Sequence, residues 1–183
     1  MMDIDLTEHC ISSETIASGG MLNVKRDQVR LPNGHTSQRE YVTHPGAVVV
    51  VPILPNGNVI LERQFRYPLH QVFVELPAGK IDAGEDILVT GQRELLEETG
   101  YSASNWIKLG LQYPCIGYSN EVIHMYLARD LTAGAHQRDA DESMEVFELS
   151  FADCMKMIQT GEITDAKTII ALFFAEKYLL QHA

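Results

Sequence analysis

The run Ala47–Leu54, AVVVVPIL, restricts the fold more than any other part of the chain. It is apolar throughout, rich in β-branched valine, and bounded by Gly46 and by Pro55-Asn56-Gly57-Asn58. Such a run reads as a strand buried inside a sheet. It falls well short of the ~18 apolar residues that a membrane-crossing helix requires. No other run is longer, and the opening MMDIDLTEHC is acidic without an apolar centre. Neither a membrane span nor a secretory signal is expected.

The remaining elements are arranged around this strand. Met21–Arg30 and Ser37–Thr43 read as a β-hairpin about the turn Pro32-Asn33-Gly34. His44-Pro45-Gly46 then interrupts the pattern, which separates an N-terminal β extension, residues 1–45, from a main domain, residues 46–183. Residues 1–19 carry little periodicity. Val59–Phe65 reads as the strand returning from the first one, and Val72–Leu76 as a short strand ending at a Pro77-Ala78-Gly79 turn. Asp86–Thr99 reads as a helix with Gly100 as its left-handed stop. Strands follow at Trp106–Tyr113, Val122–Ala128 and Met144–Leu149, with a polar loop over Thr132–Asp141. Phe151–Gln159 and Asp165–Leu180 close the chain as helices. Strands and helices that interleave in this way predict an α/β or α+β fold.

Charge narrows the partners. Lys and Arg number 14 against 25 Asp and Glu, a net charge of -11. Nucleic acid and anionic membranes both call for a basic face, so neither is expected as a partner. The three cysteines, Cys10, Cys115 and Cys154, are widely spaced and form no C-x-x-C pair. This predicts neither a zinc site nor a disulfide framework, and favours a reducing, cytoplasmic compartment.

The helix at 86–99 carries the chemistry. Glu94, Glu97 and Glu98 stand at i, i+3 and i+4, on one face. Leu88, Leu95 and Thr99 fall on another, and Gly91 lies on that packed side despite a helix-propensity cost of ~1 kcal/mol. Two like charges ~4 Å apart repel by roughly 4 kcal/mol at an effective dielectric of ~20. The carboxylates can stay ionised by reaching into water, as a solvated acidic face, or by sharing a divalent cation. Arg93 precedes Glu97 by four residues and can hold one carboxylate, leaving the others for the hard oxygen ligation that Mg²⁺ prefers.

The spacing is specific. Gly79, five residues, Glu85, seven residues, Arg93-Glu94-Leu95, one residue, Glu97-Glu98, one residue, Gly100 and a bulky residue together resemble the Nudix box. The last place holds Tyr101, where an aliphatic residue is usual. The segments GAVVVVPI, ERQFRYP, VELPAGKID and GEITDAKTIIAL resemble the ADP-ribose pyrophosphatase-like branch of that family, over about residues 20–180.

The resemblance implies an α/β/α sandwich with the N-terminal hairpin as an extension, and hydrolysis of a nucleoside diphosphate linked to another group. It implies Glu94, Glu97, Glu98 and the carbonyl of Ala78 as ligands of Mg²⁺ or Mn²⁺, with Glu85 anchoring the site. Arg93 would orient Glu97, and Gly79 and Gly100 would permit the turns at the two helix ends. Metal ions would neutralise the pyrophosphate and lower the pKa of a bound water. The general base would be Glu142 in RDADESMEV, with Asp141 and Glu145 as competitors; Met144 stands where a second carboxylate is common. Substrate contacts would come from Arg63, Arg66, Glu75 and Glu121, the last on the terminal ribose. In a regular strand Arg63 and Arg66 point to opposite faces. His44 reads as a turn-capping residue. Cys115-Ile116-Gly117 occupies the place where ADP-ribose pyrophosphatases usually carry Ser-Pro-Gly. GDP-mannose and other nucleoside diphosphate sugars therefore stand beside ADP-ribose as substrates, and a non-catalytic nucleotide-binding regulator is the further alternative, which the intact box argues against. The branch also implies a homodimer assembled through the N-terminal sheet.

Overall fold

Each strand of the main domain finds its place through what its side chains must bury. The computed structural model describes residues 4–134 and 143–182. The chain forms two units. One comprises the residues up to His44 with Cys115–Glu121, the other Pro45–Pro114 with Val122 onward.

The N-terminal unit is a three-stranded antiparallel sheet, β1 (His9–Ser18), β2 (Asn23–Arg30) and β3 (Thr36–Thr43), in the order β1-β2-β3. The predicted hairpin is β2–β3, and β1 is an addition to it. All ten residues of β1 are exposed, so its side chains carry no burial rhythm that the sequence could display.

In the larger unit the Ala47 run is β4 (Ala47–Pro52), buried at every residue. It is the second strand of a four-stranded sheet ordered β7-β4-β9-β8. Here β7 is Ala78–Lys80, β8 Tyr101–Gln112 and β9 Ile123–Ala133. A second sheet, ordered β10-β5-β6, holds β5 (Asn58–Arg66), β6 (Gln71–Glu75) and β10 (Met144–Ser150). Two expectations change. The turn at Pro55 closes locally, with the Leu54 N–H donating to the Asn58 carbonyl at 2.9 Å beside an antiparallel Ile53–Val59 bridge, but β4 and β5 then enter different sheets. Ala78-Gly79 is not a free turn, since both residues pair with Val49 and Val48 as part of β7. The difference places the backbone of Ala78 and Gly79 on a sheet edge rather than in a loop.

The two faces of β4 fill two cores. Val48 and Val50 pack with Leu95 of α1 (Ile87–Thr99), while Val49, Val51 and Ile53 pack with Ala171, Leu172 and Ala175 of α3 (Ala166–Gln181). Cys154 of α2 (Phe151–Thr160) joins the second core, and burial pushes its thiol up to about 12. Helices on both faces make the α/β/α sandwich. Gly91 lets α1 pack closely on β4: a Cβ there would stand 3.1 Å from Val48 Cγ1. Among the described residues, no helix is long and apolar enough to cross a membrane.

Candidate active site

The helix α1 begins and ends where its caps dictate. Asp86 accepts from the N–H groups of Leu88 (2.9 Å) and Val89 (3.3 Å). Gly100, at φ 77°, ends it and donates to the Leu96 carbonyl at 2.9 Å. The helix then presents its acidic residues towards β7 and the segment before it.

Arg93 is the hub. Its Nε and Nη2 bind Glu85 Oε1 (2.9 Å) and Oε2 (3.0 Å), a two-pronged pair. Its Nη1 donates to Glu94 Oε1 (2.8 Å) and Glu97 Oε2 (3.0 Å), and Nη2 also to the Lys80 carbonyl (3.2 Å). Arg93 thus orients Glu97 and, beyond the expectation, Glu94 and Glu85 as well. Thr90 Oγ1 donates to Glu85 Oε2 at 2.8 Å. Arg93 and Thr90 together hold the Glu85 carboxyl down at about 2, against burial, which acts in the other direction. The guanidinium is correspondingly raised by Glu85.

The acidic face is not a solvated one. Glu98 is 5% exposed, and Thr90, Gly91, Leu95 and Thr99 share its burial. Its Oε2 accepts from the N–H of Ala78 at 2.9 Å, which brings Glu98 and the Ala78 peptide together. Glu94 lies against Gly79. A Cβ on Gly79 would fall on the Glu94 carboxylate itself, far inside the 3.0 Å that real Cβ contacts respect. Gly79 is an extended residue of β7 with no positive φ. The expectation that it permits a turn is therefore corrected: it is glycine to leave room for a carboxylate. Gly100 keeps its expected role.

The fit of this donor set to a divalent cation can be judged on its own chemistry. Three carboxylates, Glu85, Glu94 and Glu97, face one guanidinium, so the cluster is net negative, and Glu94 keeps only 12% of its side chain exposed. Carboxylate oxygens are the hard donors that Mg²⁺-like ions take, so the chemistry of the donor set fits such an ion. Among the described residues, no group of three or more His, Cys, Asp or Glu side chains is gathered ready to hold a metal. Arg93 accounts for this physically: it turns oxygens of Glu94 and Glu97 towards itself.

The remaining candidates are dispersed. On β5 the register is regular, Glu62 opposite Glu75 and Arg66 opposite Gln71, so Arg63 and Arg66 do point to opposite faces. Arg63 lies 4.0 Å over the Phe147 ring and pairs with Glu145 at 3.0 Å. Glu145 is thus the exposed partner of an Arg63 ion pair. Arg66 binds Glu75 through Nε–Oε1 and Nη2–Oε2, both at 2.7 Å, and Glu75 is buried. Glu121 belongs to the N-terminal unit, where His44 Nδ1 stands 3.6 Å from its Oε1 and the His44 N–H donates to Asn120 Oδ1. Asp141 and Glu142 lie outside the described residues. Sequence reasoning missed Glu62, 1% exposed, and Lys167, which pairs with Glu75. A charge ending the apolar run Val59-Ile60-Leu61 was a legible signal for Glu62. Nothing local marks Lys167.

Comparison with known proteins agrees with this geometry. The NUDIX domain model matches residues 43–172, and the nucleoside diphosphate sugar hydrolase N-terminal domain model matches residues 8–42. The ADP-ribose pyrophosphatase of Bacillus subtilis (strain 168) is 40% identical over 173 residues, covering 93% of this chain and 94% of that protein. The methanol dehydrogenase activator of Bacillus methanolicus is also 40% identical over 173 residues, covering 92% of each. The crystal structure of an ADP compounds hydrolase superposes with a TM-score of 0.88 over 98% of both chains at 23% identity, a likeness of fold. The chain belongs to the Nudix family. Nudix hydrolases generally use divalent metal ions.

Proposed function

We propose that this Nudix chain hydrolyses the pyrophosphate bond of ADP-ribose, adding water and releasing AMP and ribose 5-phosphate. The observation that carries the reading is the α1 cluster: Glu94, Glu97 and Glu98 oriented by Arg93, Gly79 and the Ala78 peptide. The near-full-length likeness to an ADP-ribose pyrophosphatase supports the substrate.

Glu94, Glu97, Glu98 and the Ala78 carbonyl would hold Mg²⁺, or Mn²⁺ in its place. A divalent ion held there would supply charge to offset the pyrophosphate and would lower the pKa of water. Arg93 holds Glu94 and Glu97 in defined positions before substrate arrives, and the oxygens it binds would turn from it to take a metal ion. Glu98, fixed by the Ala78 N–H, is locked to β7 and cannot swing away. Of Arg63 and Arg66, which point to opposite faces, Arg66 is the positive group offered to a substrate phosphate, and Glu121 is assigned the terminal ribose hydroxyls. Glu142 removes the proton of the attacking water.

The chain works as a cytoplasmic homodimer, with the N-terminal sheet as the contact. Supporting this, β1 is exposed throughout, and Ile4, Leu6, Ile11 and Ile16 in this unit are apolar and open to solvent. A second reading, a pyrophosphatase for another nucleoside diphosphate sugar, is favoured by the match of residues 8–42.

The test is product release from ADP-ribose, GDP-mannose, UDP-glucose and NADH, each with and without Mg²⁺. Metal-dependent cleavage of ADP-ribose well above the others is expected. Preference for another substrate replaces the sugar or base, and no cleavage of any refutes the proposal. Sedimentation of the purified chain tests the dimer, and a monomer at micromolar concentration refutes that part.

A further inference from the structure

Lys167 has no role so far. It stands in the first turn of α3, where its ammonium bonds Glu75 and also Asp165 Oδ2 at 3.0 Å. Asp165 caps α3 by accepting from the Thr168 N–H (3.0 Å) and the Thr168 hydroxyl (2.7 Å). Thr168 Oγ1 in turn accepts from the Leu76 N–H at 2.9 Å. One helical turn therefore grips Glu75 by its side chain and Leu76 by its backbone. Two residues later comes Ala78, whose N–H holds Glu98.

Glu75 is 2% exposed, yet it carries two cations, Lys167 and the paired guanidinium of Arg66. The Arg66 side chain is 41% exposed, and its Nη1 takes no part in the Glu75 pair. Arg66 also lies in the field of Glu62 and Asp165. With Lys167 present, three carboxylates face two cations. Without it they face one, and the same surroundings become doubly negative. A pyrophosphate approaching Arg66 would then be repelled, and Arg66 would be drawn inward by carboxylates left unbalanced.

We propose that Lys167 is a positioning residue for substrate: by sharing Glu75 and neutralising Asp165 it holds the Arg66 guanidinium with its outer edge presented to an anionic oxygen. The proposal rests on the reading of Arg66 as a substrate contact. A purely architectural ion pair between α3 and β6 would instead make Lys167 matter for stability alone.

The experiment compares wild type, Lys167→Met, Lys167→Gln and Lys167→Arg with Mg²⁺, reading kcat, KM and Tm. KM for ADP-ribose should rise at least about tenfold in the Met and Gln variants with kcat nearly kept, the pattern of lost binding shared by ground and transition states. Lys167→Arg should return KM to within about threefold of wild type, since the charge is restored. Lys167→Gln keeps a donor to Glu75, so it serves if the Met variant does not fold. Unchanged KM with lowered Tm, or kcat falling at constant KM, overturns the proposal. If wild type prefers another nucleoside diphosphate sugar, the substrate reading fails and the same series is run on that sugar. If wild type cleaves nothing, the function fails as a whole. Calorimetric affinity for ADP-ribose then decides Lys167, with equal Kd values in wild type and Lys167→Gln overturning it.

Discussion

Gly79→Ala separates the chemistry of the site from its stability. The added methyl occupies the place of the Glu94 carboxylate, while the backbone is extended and accepts alanine without strain. Restoring ordinary packing at 3.4–4 Å moves that carboxylate outward by roughly 1–2 Å, a displacement of the size that costs ~100-fold in rate when it disturbs a catalytic group. The same movement breaks the Arg93–Glu94 pair, which has one partly exposed member and is worth ~1 kcal/mol or less to stability. Turnover should therefore fall ~100-fold, ~2.7 kcal/mol in the barrier, with Tm lowered by only a few degrees. Gly91→Ala is the control on the same helix. Its methyl would meet Val48 Cγ1 at 3.1 Å in the buried core, so the ~1 kcal/mol gained in helix propensity is offset by crowding. Its kcat should stay within about twofold of wild type. The assay is initial rate across a range of Mg²⁺ concentrations, with thermal unfolding recorded on the same samples. A Gly79→Ala protein whose rate and metal dependence match wild type would refute the claim that this glycine exists to admit Glu94.

Other outcomes follow from the same cluster. The Glu85 carboxyl is depressed from 4.5 to about 2, first by Arg93, so its contribution to stability is complete above pH 4.5 and disappears as pH falls through about 2. The stability gap between wild type and Arg93→Gln should be flat near neutrality and close below pH 4.5 in acid-unfolding curves; a gap that widens there contradicts the pairing. Glu98→Gln retains an oxygen for the Ala78 N–H, so circular dichroism and Tm should be nearly those of wild type while turnover drops by ~1000-fold or more; a partly active variant would remove Glu98 from the metal set. Glu142→Gln should lower kcat by ~100-fold or more and flatten the acidic limb of its pH profile; an unaltered profile passes the base role to another residue. Chelation should abolish hydrolysis, and Mg²⁺ at ~100 times its Kd should restore ~2.7 kcal/mol of stability; a Tm indifferent to metal argues for a merely solvated acidic helix.

What was legible and what was not divides along a physical line. The Ala47 run, the caps of α1 and the face shared by Glu94, Glu97 and Glu98 are properties of neighbours in sequence, and a period of two or 3.6 exposes them. Gly91 was legible for the same reason, because a helical glycine calls for a packing partner. The strand β1 was not, since every one of its residues is exposed and burial never imposes an alternation on it. The burial of Glu98 was hidden because periodicity sorts residues by polarity, whereas here a carboxylate is drawn inward by one backbone N–H from a strand 20 residues away. Gly79 was read as a turn because its purpose is set by an atom on another element. Glu75 and Lys167 lie 92 residues apart, and no local pattern can announce that pair. The consequence runs beyond this chain. The residues that do the chemistry of such a site can be read from one helix, but the residues that hold them in place are recruited from wherever the fold returns. A box match therefore points to candidate metal ligands, while the affinity for substrate depends on partners that only packing reveals. On that reasoning the affinity for any nucleoside diphosphate sugar should respond more to Lys167 and Arg66 than to a conservative change within α1.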